Sequence, residues 1–185
     1  MEIILAENHG FCYGVKRAVE MANEAANGKG KSYTLGPIIH NPQVVGRLES
    51  KGVSPIQEVS DIDEGTMIIR SHGVGPAIYE EAEEKGLAIV DATCPHVKKA
   101  QQDAKSVIED GMTLVILGEK NHPEVKSINL WANNKGIIIE DEDSAKNLQV
   151  VEKMGVVVQT TFSQFKFNSI IDILEKKSKN LKVFK

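Results

Sequence analysis

The sequence has little of several residue types, and each shortage excludes a class of protein. Two cysteines in 185 residues are too few for a disulfide-rich secreted scaffold. Six prolines, with 41% hydrophobic and 26% charged residues, exclude a collagen-like or disordered chain. No apolar run approaches about 18 residues, so we expect no membrane-spanning segment. The formal net charge of −4 disfavours a nucleic-acid partner.

The first residues of the chain lack the features of a targeting signal. Residues 1–7 contain neither a basic stretch nor the long apolar core of a secretory signal peptide. We therefore expect a cytoplasmic protein with no membrane partner. In such a protein, two cysteines are metal ligands or reactive thiols more often than a structural disulfide.

Strand-like and helix-like segments alternate along the chain. Short apolar runs predict strands, and apolar residues three or four apart predict helices. Pro42, Pro76, Pro95 and Pro123 stand where helices are expected to begin. Strands separated by helices of ten or more residues predict α/β units with mainly parallel sheets. The predicted strands are residues 3–6, 32–35, 66–70, 87–91, 112–117, 137–140, 155–158 and 181–184.

One pattern occurs twice, with an offset of 82 residues from Cys12 to Cys94. His40 matches His122 at the same offset. A shared offset predicts two copies of one α/β unit. We predict a first module at residues 13–94, a second at 95–185, and a separate N-terminal strand within residues 1–12. Leu35-Gly36 also matches Leu117-Gly118, and Arg70-Ser-His72 corresponds loosely to Gln159-Thr-Thr161.

Each copy places a cysteine and a histidine just after predicted strands. Because parallel sheets gather ligands at the carboxyl ends of their strands, the repeat predicts that these side chains converge on one centre. By extrapolation of the repeat, a third cysteine would fall about three residues beyond Lys185. We expect a third module to follow, with which residues 1–12 pair, so that three modules surround the centre.

Cys12 and Cys94 are candidate metal ligands. Each precedes a predicted helix, whose dipole favours a thiolate. Their spacing matches neither zinc nor ferredoxin patterns. With a third thiolate from a further module, they would hold an iron–sulfur cluster with one iron open to substrate. Two buried cysteines or a disulfide are the alternatives.

His40, His72 and His122 follow predicted strands and form a candidate anion site. Imidazolium groups and helix-start N–H groups both favour phosphate. Glu124, the carboxylate tied to the repeat, is a candidate proton donor. Thr160 offers a hydroxyl for relaying a proton or fixing a substrate. The alternatives are structural histidines, a glutamate favoured by the helix dipole and a threonine favoured by β-propensity.

Six motifs, in order along the chain, resemble those of the 4-hydroxy-3-methylbut-2-enyl diphosphate reductase family. As a set they are specific, and the resemblance covers the whole sequence. The motifs are Gly10-Phe-Cys-Tyr-Gly-Val-Lys16, Ile39-His-Asn-Pro-Gln-Val44, Arg70-Ser-His-Gly-Val74, Asp91-Ala-Thr-Cys-Pro-His-Val97, His122-Pro-Glu124 and Gln159-Thr-Thr-Phe-Ser163.

The resemblance implies three α/β modules around a central [4Fe–4S] cluster. It implies removal of the allylic hydroxyl of that diphosphate to give isopentenyl and dimethylallyl diphosphate, the last step of the non-mevalonate isoprenoid route. Ferredoxin or flavodoxin would supply the electrons. The family's third cysteine and its Ser/Asn-rich phosphate segment have no counterpart in these 185 residues, so we expect the chain alone to hold a cluster poorly.

The resemblance also implies roles for individual residues. Cys12 and Cys94 match two of three cluster ligands. His40, His72 and His122 match the residues that hold the substrate, chiefly its diphosphate. Glu124 matches the proton donor, and Thr160 matches a substrate-binding hydroxyl that works with it.

Two other functions remain open from the residues alone. A zinc-dependent hydrolase would use His40, His72, His122 and Glu124, and a chelator would inhibit it. A non-catalytic phosphate-binding α/β fragment would bind its ligand equally well after replacement of either cysteine.

Overall fold

Two four-stranded parallel sheets, formed one after the other along the chain, organise the protein. The computed structural model describes residues 3–4, 6–7, 9–28 and 30–184. The first half contains α1 (Tyr13–Ala26), β1 (Ser32–Leu35), α2 (Pro42–Glu49), β2 (Val53–Ile56), β3 (Thr66–Ile69), α3 (Pro76–Glu84) and β4 (Ala88–Asp91). The second half contains α4 (Pro95–Glu109), β5 (Thr113–Leu117), α5 (Pro123–Trp131), β6 (Ile137–Ile139), α6 (Glu142–Lys146), β7 (Val151–Val158), α7 (Gln164–Leu174) and β8 (Ser178–Phe184). Short 3₁₀ turns lie at Val59–Asp61 and Glu175–Lys177.

The two sheets have the same topology. Their strand orders are β2-β1-β3-β4 and β6-β5-β7-β8, and every neighbouring pair is parallel. The predicted α/β architecture of two repeated units with parallel sheets is therefore confirmed. The strands of each sheet lie within residues 13–94 and 95–185, although the module boundaries themselves stay a prediction.

The central strands are apolar on both faces because helices cover both sides of each sheet. In β3, Ile68 belongs to a core cluster with Ala18 of α1 and Val44 of α2. Met67 and Ile69 point the other way and pack with Ala82 of α3. The second sheet repeats this arrangement, with one apolar cluster on each face. The cores thus hold the carboxyl ends of the central strands in fixed positions.

The predicted strand at residues 3–6 does not form in its described part. Ile3, Ile4 and Ala6 belong to no strand, and Leu5 lies outside the described residues. Ile3 and Ile4 are 73% and 84% exposed. An isolated apolar segment has no neighbouring strand to satisfy its backbone hydrogen bonds. Its pairing with a third module stays a prediction.

Two elements that the apolar pattern does not predict are present. β2 contains Pro55, a residue that argues against a strand when only the sequence is considered. Proline is tolerated here because β2 lies at a sheet edge. α6 is only five residues long and is held by a capping box between Asp141 and Ser144. None of the described helices is long and apolar enough to cross a membrane.

Candidate functional site

The candidate site lies where the two central strands of each sheet end. His40 follows β1, and the segment 70–72 follows β3 in the first sheet. His122 follows β5, and the segment 159–161 follows β7 in the second sheet. The site is therefore assembled from both modules.

The structure brings His40, His72 and His122 together. The ring centroids are 4.7 Å apart for His40 and His72, 5.4 Å for His72 and His122, and 6.1 Å for His40 and His122. One ring nitrogen from each residue lies within 4.8 Å of the other two. We call these residues the histidine cluster. It can surround one small anion or, geometrically, one metal ion.

The imidazole of His72 has a lowered pKa in the ligand-free protein. Burial lowers the pKa of His72 to about 4, with smaller contributions from the positive charges of His40, Arg70 and His122. In the ligand-free protein, His72 is therefore neutral at neutral pH, and an imidazolium at this position when an anion is bound stays a prediction. Its Nδ1 is buried without a hydrogen-bond partner.

His122 has a defined tautomer when it is neutral. Its Nδ1 accepts a hydrogen bond of 3.2 Å from the backbone N–H of Glu124 and so caps α5. Because Nδ1 is an acceptor, the proton of a neutral His122 ring resides on Nε2. That N–H can donate to an anion.

Glu124 is the most deeply buried carboxylate near the cluster, with 2% of the residue exposed. Its Oε1 accepts from the backbone N–H of Thr160 at 2.6 Å, and its Oε2 accepts from Thr160 Oγ1 at 2.9 Å. Burial raises the pKa of Glu124, while the two hydrogen bonds from Thr160 and the charge of His122 oppose that rise. A raised pKa favours the protonated carboxyl, which suits a proton donor.

Arg70 is a residue of this region to which the sequence analysis assigns no role. It follows β3 and is half-buried, and burial lowers the pKa of its guanidinium. A Cβ added to Gly36 would lie 2.7 Å from Arg70 Nη1, so Gly36 leaves room for the guanidinium. In the sequence, Arg70 could have been noticed as a charged residue directly after an apolar strand, at the position where the second copy has Gln159.

Helix α5 joins the two modules beside the site. Val74, which follows the His72 loop, accepts hydrogen bonds from Ser127 Oγ at 3.3 Å and from Trp131 Nε1 at 2.9 Å. Ser127 Oγ also accepts from Gln101 Nε2 at 2.6 Å. The same helix carries Glu124 in its first turn. These contacts, which we call the Val74 seam, fix the position of the His72 loop relative to Glu124.

Cys12 and Cys94 are the N-cap residues of α1 and α4. Neither side chain makes a capping hydrogen bond, and both thiols are free. A Cβ added to Gly14 would lie 2.5 Å from Cys94 Sγ, so the Cys94 sulfur packs against the first turn of the helix that Cys12 caps. Two unpartnered thiols at neighbouring helix N-termini fit the donor set of an iron–sulfur cluster. Their role as ligands stays a prediction.

The sequence is similar to a known protein family along nearly its whole length. Residues 3–185 match the family model described as LytB protein. The chain is 48% identical over 184 residues to the 4-hydroxy-3-methylbut-2-enyl diphosphate reductase of Geotalea uraniireducens, and 46% identical over 184 residues to that of Geobacter sulfurreducens. Each alignment covers 100% of this chain and 65% of the relative. The chain thus spans slightly less than two thirds of these relatives.

Solved structures share the fold. The E-1-hydroxy-2-methyl-but-2-enyl-4-diphosphate reductase from Plasmodium falciparum superposes with a TM-score of 0.91 at 31% identity, covering 96% of this chain and 57% of that one. A structure of (E)-4-hydroxy-3-methyl-but-2-enyl diphosphate reductase, the terminal enzyme of the non-mevalonate pathway, gives a TM-score of 0.83 at 42% identity, covering 98% and 66%. The match to the family model and these likenesses confirm the family resemblance seen in the motifs, and the chain belongs to the LytB protein family.

Proposed function

We propose that this chain carries two of the three modules of an iron–sulfur reductase in the non-mevalonate isoprenoid route. The substrate is (E)-4-hydroxy-3-methylbut-2-enyl diphosphate, and the products are isopentenyl and dimethylallyl diphosphate. The observation that carries the proposal is the buried Glu124 carboxylate, hydrogen-bonded to Thr160 beside the histidine cluster. A proton donor and an anion site thus lie side by side.

The reaction consumes two electrons and two protons for each substrate molecule. The C–O bond of the allylic hydroxyl breaks, the oxygen leaves as water, and a C–H bond forms on the allyl carbon. Hydroxide is a poor leaving group, so a proton must reach the oxygen as the bond breaks. Positioned acids of this kind accelerate reactions by roughly 10²- to 10⁴-fold.

The Glu124–Thr160 pair is arranged to deliver that proton. A protonated Glu124 donates from Oε2 to Thr160 Oγ1, the atom with which Oε2 is already hydrogen-bonded. Thr160 is exposed, so its hydroxyl can donate in turn to a bound substrate oxygen. The raised pKa of Glu124, caused first by burial, keeps its proton available at a higher pH than that of an ordinary glutamate.

The histidine cluster holds the diphosphate end of the substrate. The Nε2–H of His122 is a donor in its neutral form, because Nδ1 is occupied by the Glu124 backbone. An anion beside His72 favours the charged imidazole and so raises the pKa of His72 from its low free value. Fixing the diphosphate turns binding energy into orientation of the allylic hydroxyl near Thr160.

Cys12 and Cys94 would hold the iron–sulfur cluster, which we propose is a [4Fe–4S] cluster with a third protein ligand from outside this chain. When bound, the cluster supplies the electrons, which a ferredoxin or flavodoxin delivers. The side chains of Cys12 and Cys94 make no capping hydrogen bonds, which supports this role because both sulfurs are available as ligands.

A zinc-dependent hydrolase is the weaker alternative. The histidine cluster could contact one ion, but the positive charge of Arg70 acts on His72 and disfavours a nearby dication. Both oxygens of Glu124 are engaged by Thr160, which leaves the carboxylate poorly placed to activate a metal-bound water. Both observations favour an anion.

A chimaera tests the proposed function. This chain is joined to the C-terminal part of the Geotalea uraniireducens reductase, reconstituted anaerobically with iron and sulfide, and supplied with the allylic diphosphate and a chemical reductant. We expect turnover that falls by roughly 10²- to 10⁴-fold in Glu124→Gln with the cluster retained. The exposed acid Glu119 provides the control variant Glu119→Gln, which should turn over normally. A chimaera that holds a cluster without turnover, or an active Glu124→Gln, would contradict the proposal.

A further inference from the structure

The Arg70 side chain is a half-buried cation without a partner. Within the part of the chain that the structure describes, its guanidinium makes no hydrogen bond or ion pair, and Nε is buried and unsatisfied. Burial without a counter-charge is unfavourable for a cation. Its presence therefore needs a reason outside the packing of the free chain.

The internal repeat supplies a comparison for this position. Gln159 follows β7 as Arg70 follows β3, and each side chain lies over the glycine of a Leu-Gly pair. A Cβ on Gly118 would lie 2.8 Å from Gln159 Oε1, just as one on Gly36 would lie 2.7 Å from Arg70 Nη1. The two copies thus provide the same space for a side chain.

Among the described residues, only in the second copy does the side chain at this position, Gln159, form hydrogen bonds with other residues of the chain. Gln159 Oε1 accepts from the backbone N–H of Glu119, and Nε2 donates to Thr161 Oγ1, both at 2.9 Å. In the first copy, Pro37 follows the glycine and has no N–H to donate. The first copy therefore has a charged group without a partner in the described part of the chain, where the second has a neutral group that is hydrogen-bonded at both its oxygen and its nitrogen.

The unpaired charge lies near the histidine cluster, because Arg70 is two residues before His72 and its Nη1 lies over Gly36, four residues before His40. The charge of Arg70 acts on the His72 ring. A neutral imidazole such as that of His72 donates an N–H group but brings no net charge, whereas a diphosphate is multiply anionic. A guanidinium is always protonated and matches two phosphate oxygens with its planar fork of donors.

We propose that Arg70 is a fourth diphosphate-binding residue, which adds a permanent positive charge to the histidine cluster. This inference rests on the proposed function and deepens it by adding a residue to the same site. The diphosphate is the counter-ion of Arg70, and Gly36 keeps the space in which the guanidinium lies.

Calorimetric titration with inorganic pyrophosphate tests this assignment on the 185-residue chain without added metal. We expect Arg70→Met to weaken binding on the order of 10- to 100-fold, as for loss of a charge-assisted contact. Arg47, exposed in the last turn of α2, provides the matched control, and Arg47→Met should bind within about twofold of the unchanged chain. Arg70→Lys keeps the charge without the fork and should bind with intermediate affinity.

Thermal unfolding separates ligand binding from a structural role. Without pyrophosphate, Arg70→Met should raise Tm, because it removes a half-buried charge that has no counter-charge among the residues described. With pyrophosphate, the same variant should show a smaller ligand-induced rise in Tm. A structural arginine predicts the opposite result, a lower Tm without ligand.

The outcomes distinguish this inference from the proposed function. If His72→Gln weakens pyrophosphate binding but Arg70→Met and Arg70→Lys bind as tightly as the unchanged chain, the role of Arg70 is refuted and the histidine site stands. If the unchanged chain binds no pyrophosphate, both the role of Arg70 and the diphosphate site are refuted.

Discussion

Replacement of Cys12 by aspartate should stabilise the fold while removing a candidate ligand. Cys12 is exposed, has the extended backbone of an N-cap (φ −65°, ψ 167°) and makes no side-chain capping bond. The first turn of α1 contains no acidic residue to complement the helix dipole. An aspartate there would accept from the free N–H groups of that turn.

The magnitude follows from the cap and the dipole. An N-cap acceptor contributes about 0.5–2 kcal/mol, and a negative charge at a helix N-terminus adds about 0.3–1 kcal/mol. Solvent exposure places the sum near the lower end, so Cys12→Asp should raise the free energy of unfolding by about 1 kcal/mol. For a chain of this size, that corresponds to a rise in Tm of about 2–4 °C.

Differential scanning calorimetry under anaerobic, metal-free conditions measures the effect. Cys12→Ala, which offers no acceptor, is the reference, and Cys12→Asn separates the hydrogen bond from the charge. Iron content after reconstitution of the chimaera should fall with Cys12→Asp, opposite in direction to Tm. A Tm for Cys12→Asp at or below that of Cys12→Ala would show that the thiol already stabilises this helix, and the reasoning would fail.

Two further substitutions test the neutral state of His72 and the Val74 seam. The pKa of His72 is about 4 in the folded protein, against 6.5 for an ordinary histidine, so the unfolded chain binds the proton at a higher pH than the folded one does. The free energy of unfolding should therefore fall as the pH drops from 6.5 to 4, by up to about 3 kcal/mol. His72→Gln should lack this part of the slope in urea titrations across that range, and an unchanged slope would show that His72 is not the group responsible. Ser127→Ala should lower the free energy of unfolding by about 1–3 kcal/mol, because Val74 and Gln101 lose a buried partner. Ser169→Ala, at a partly exposed serine of α7 whose hydroxyl, among the described residues, bonds only within its own helix, should change the free energy of unfolding little. Equal effects of the two substitutions would argue against the seam.

Much of the fold could be predicted from local signals. Proline at the first helical position marks the starts of α2, α4 and α5, and apolar runs mark the central strands. The sequence-based prediction omits β2 because Pro55 breaks its apolar pattern, although an edge position accepts proline. It also includes a strand at residues 3–6 that the described residues 3, 4 and 6 do not form, because composition does not reveal whether a neighbouring strand is present to pair with them.

The candidate site could be predicted in part, because the internal repeat places residues at equivalent strand ends. The repeat places His40 and His122 at equivalent strand ends, and the structure brings both to one cluster. The charge state of His72 depends on burial and on three neighbouring groups, which only the packed structure reveals. Arg70 is informative because it has no partner, and the sequence cannot show the absence of a contact.

The residues of the candidate site come from both sheets, so their spacing depends on how the two sheets are placed relative to each other. His40 and His72 follow strands of the first sheet, whereas His122 and Glu124 follow a strand of the second. A tilt of one sheet against the other changes the spacing of the imidazoles and the distance from the anchored phosphate end to the acid. A ligand bound by all three rings would therefore link the two sheets and add to the contacts of the Val74 seam.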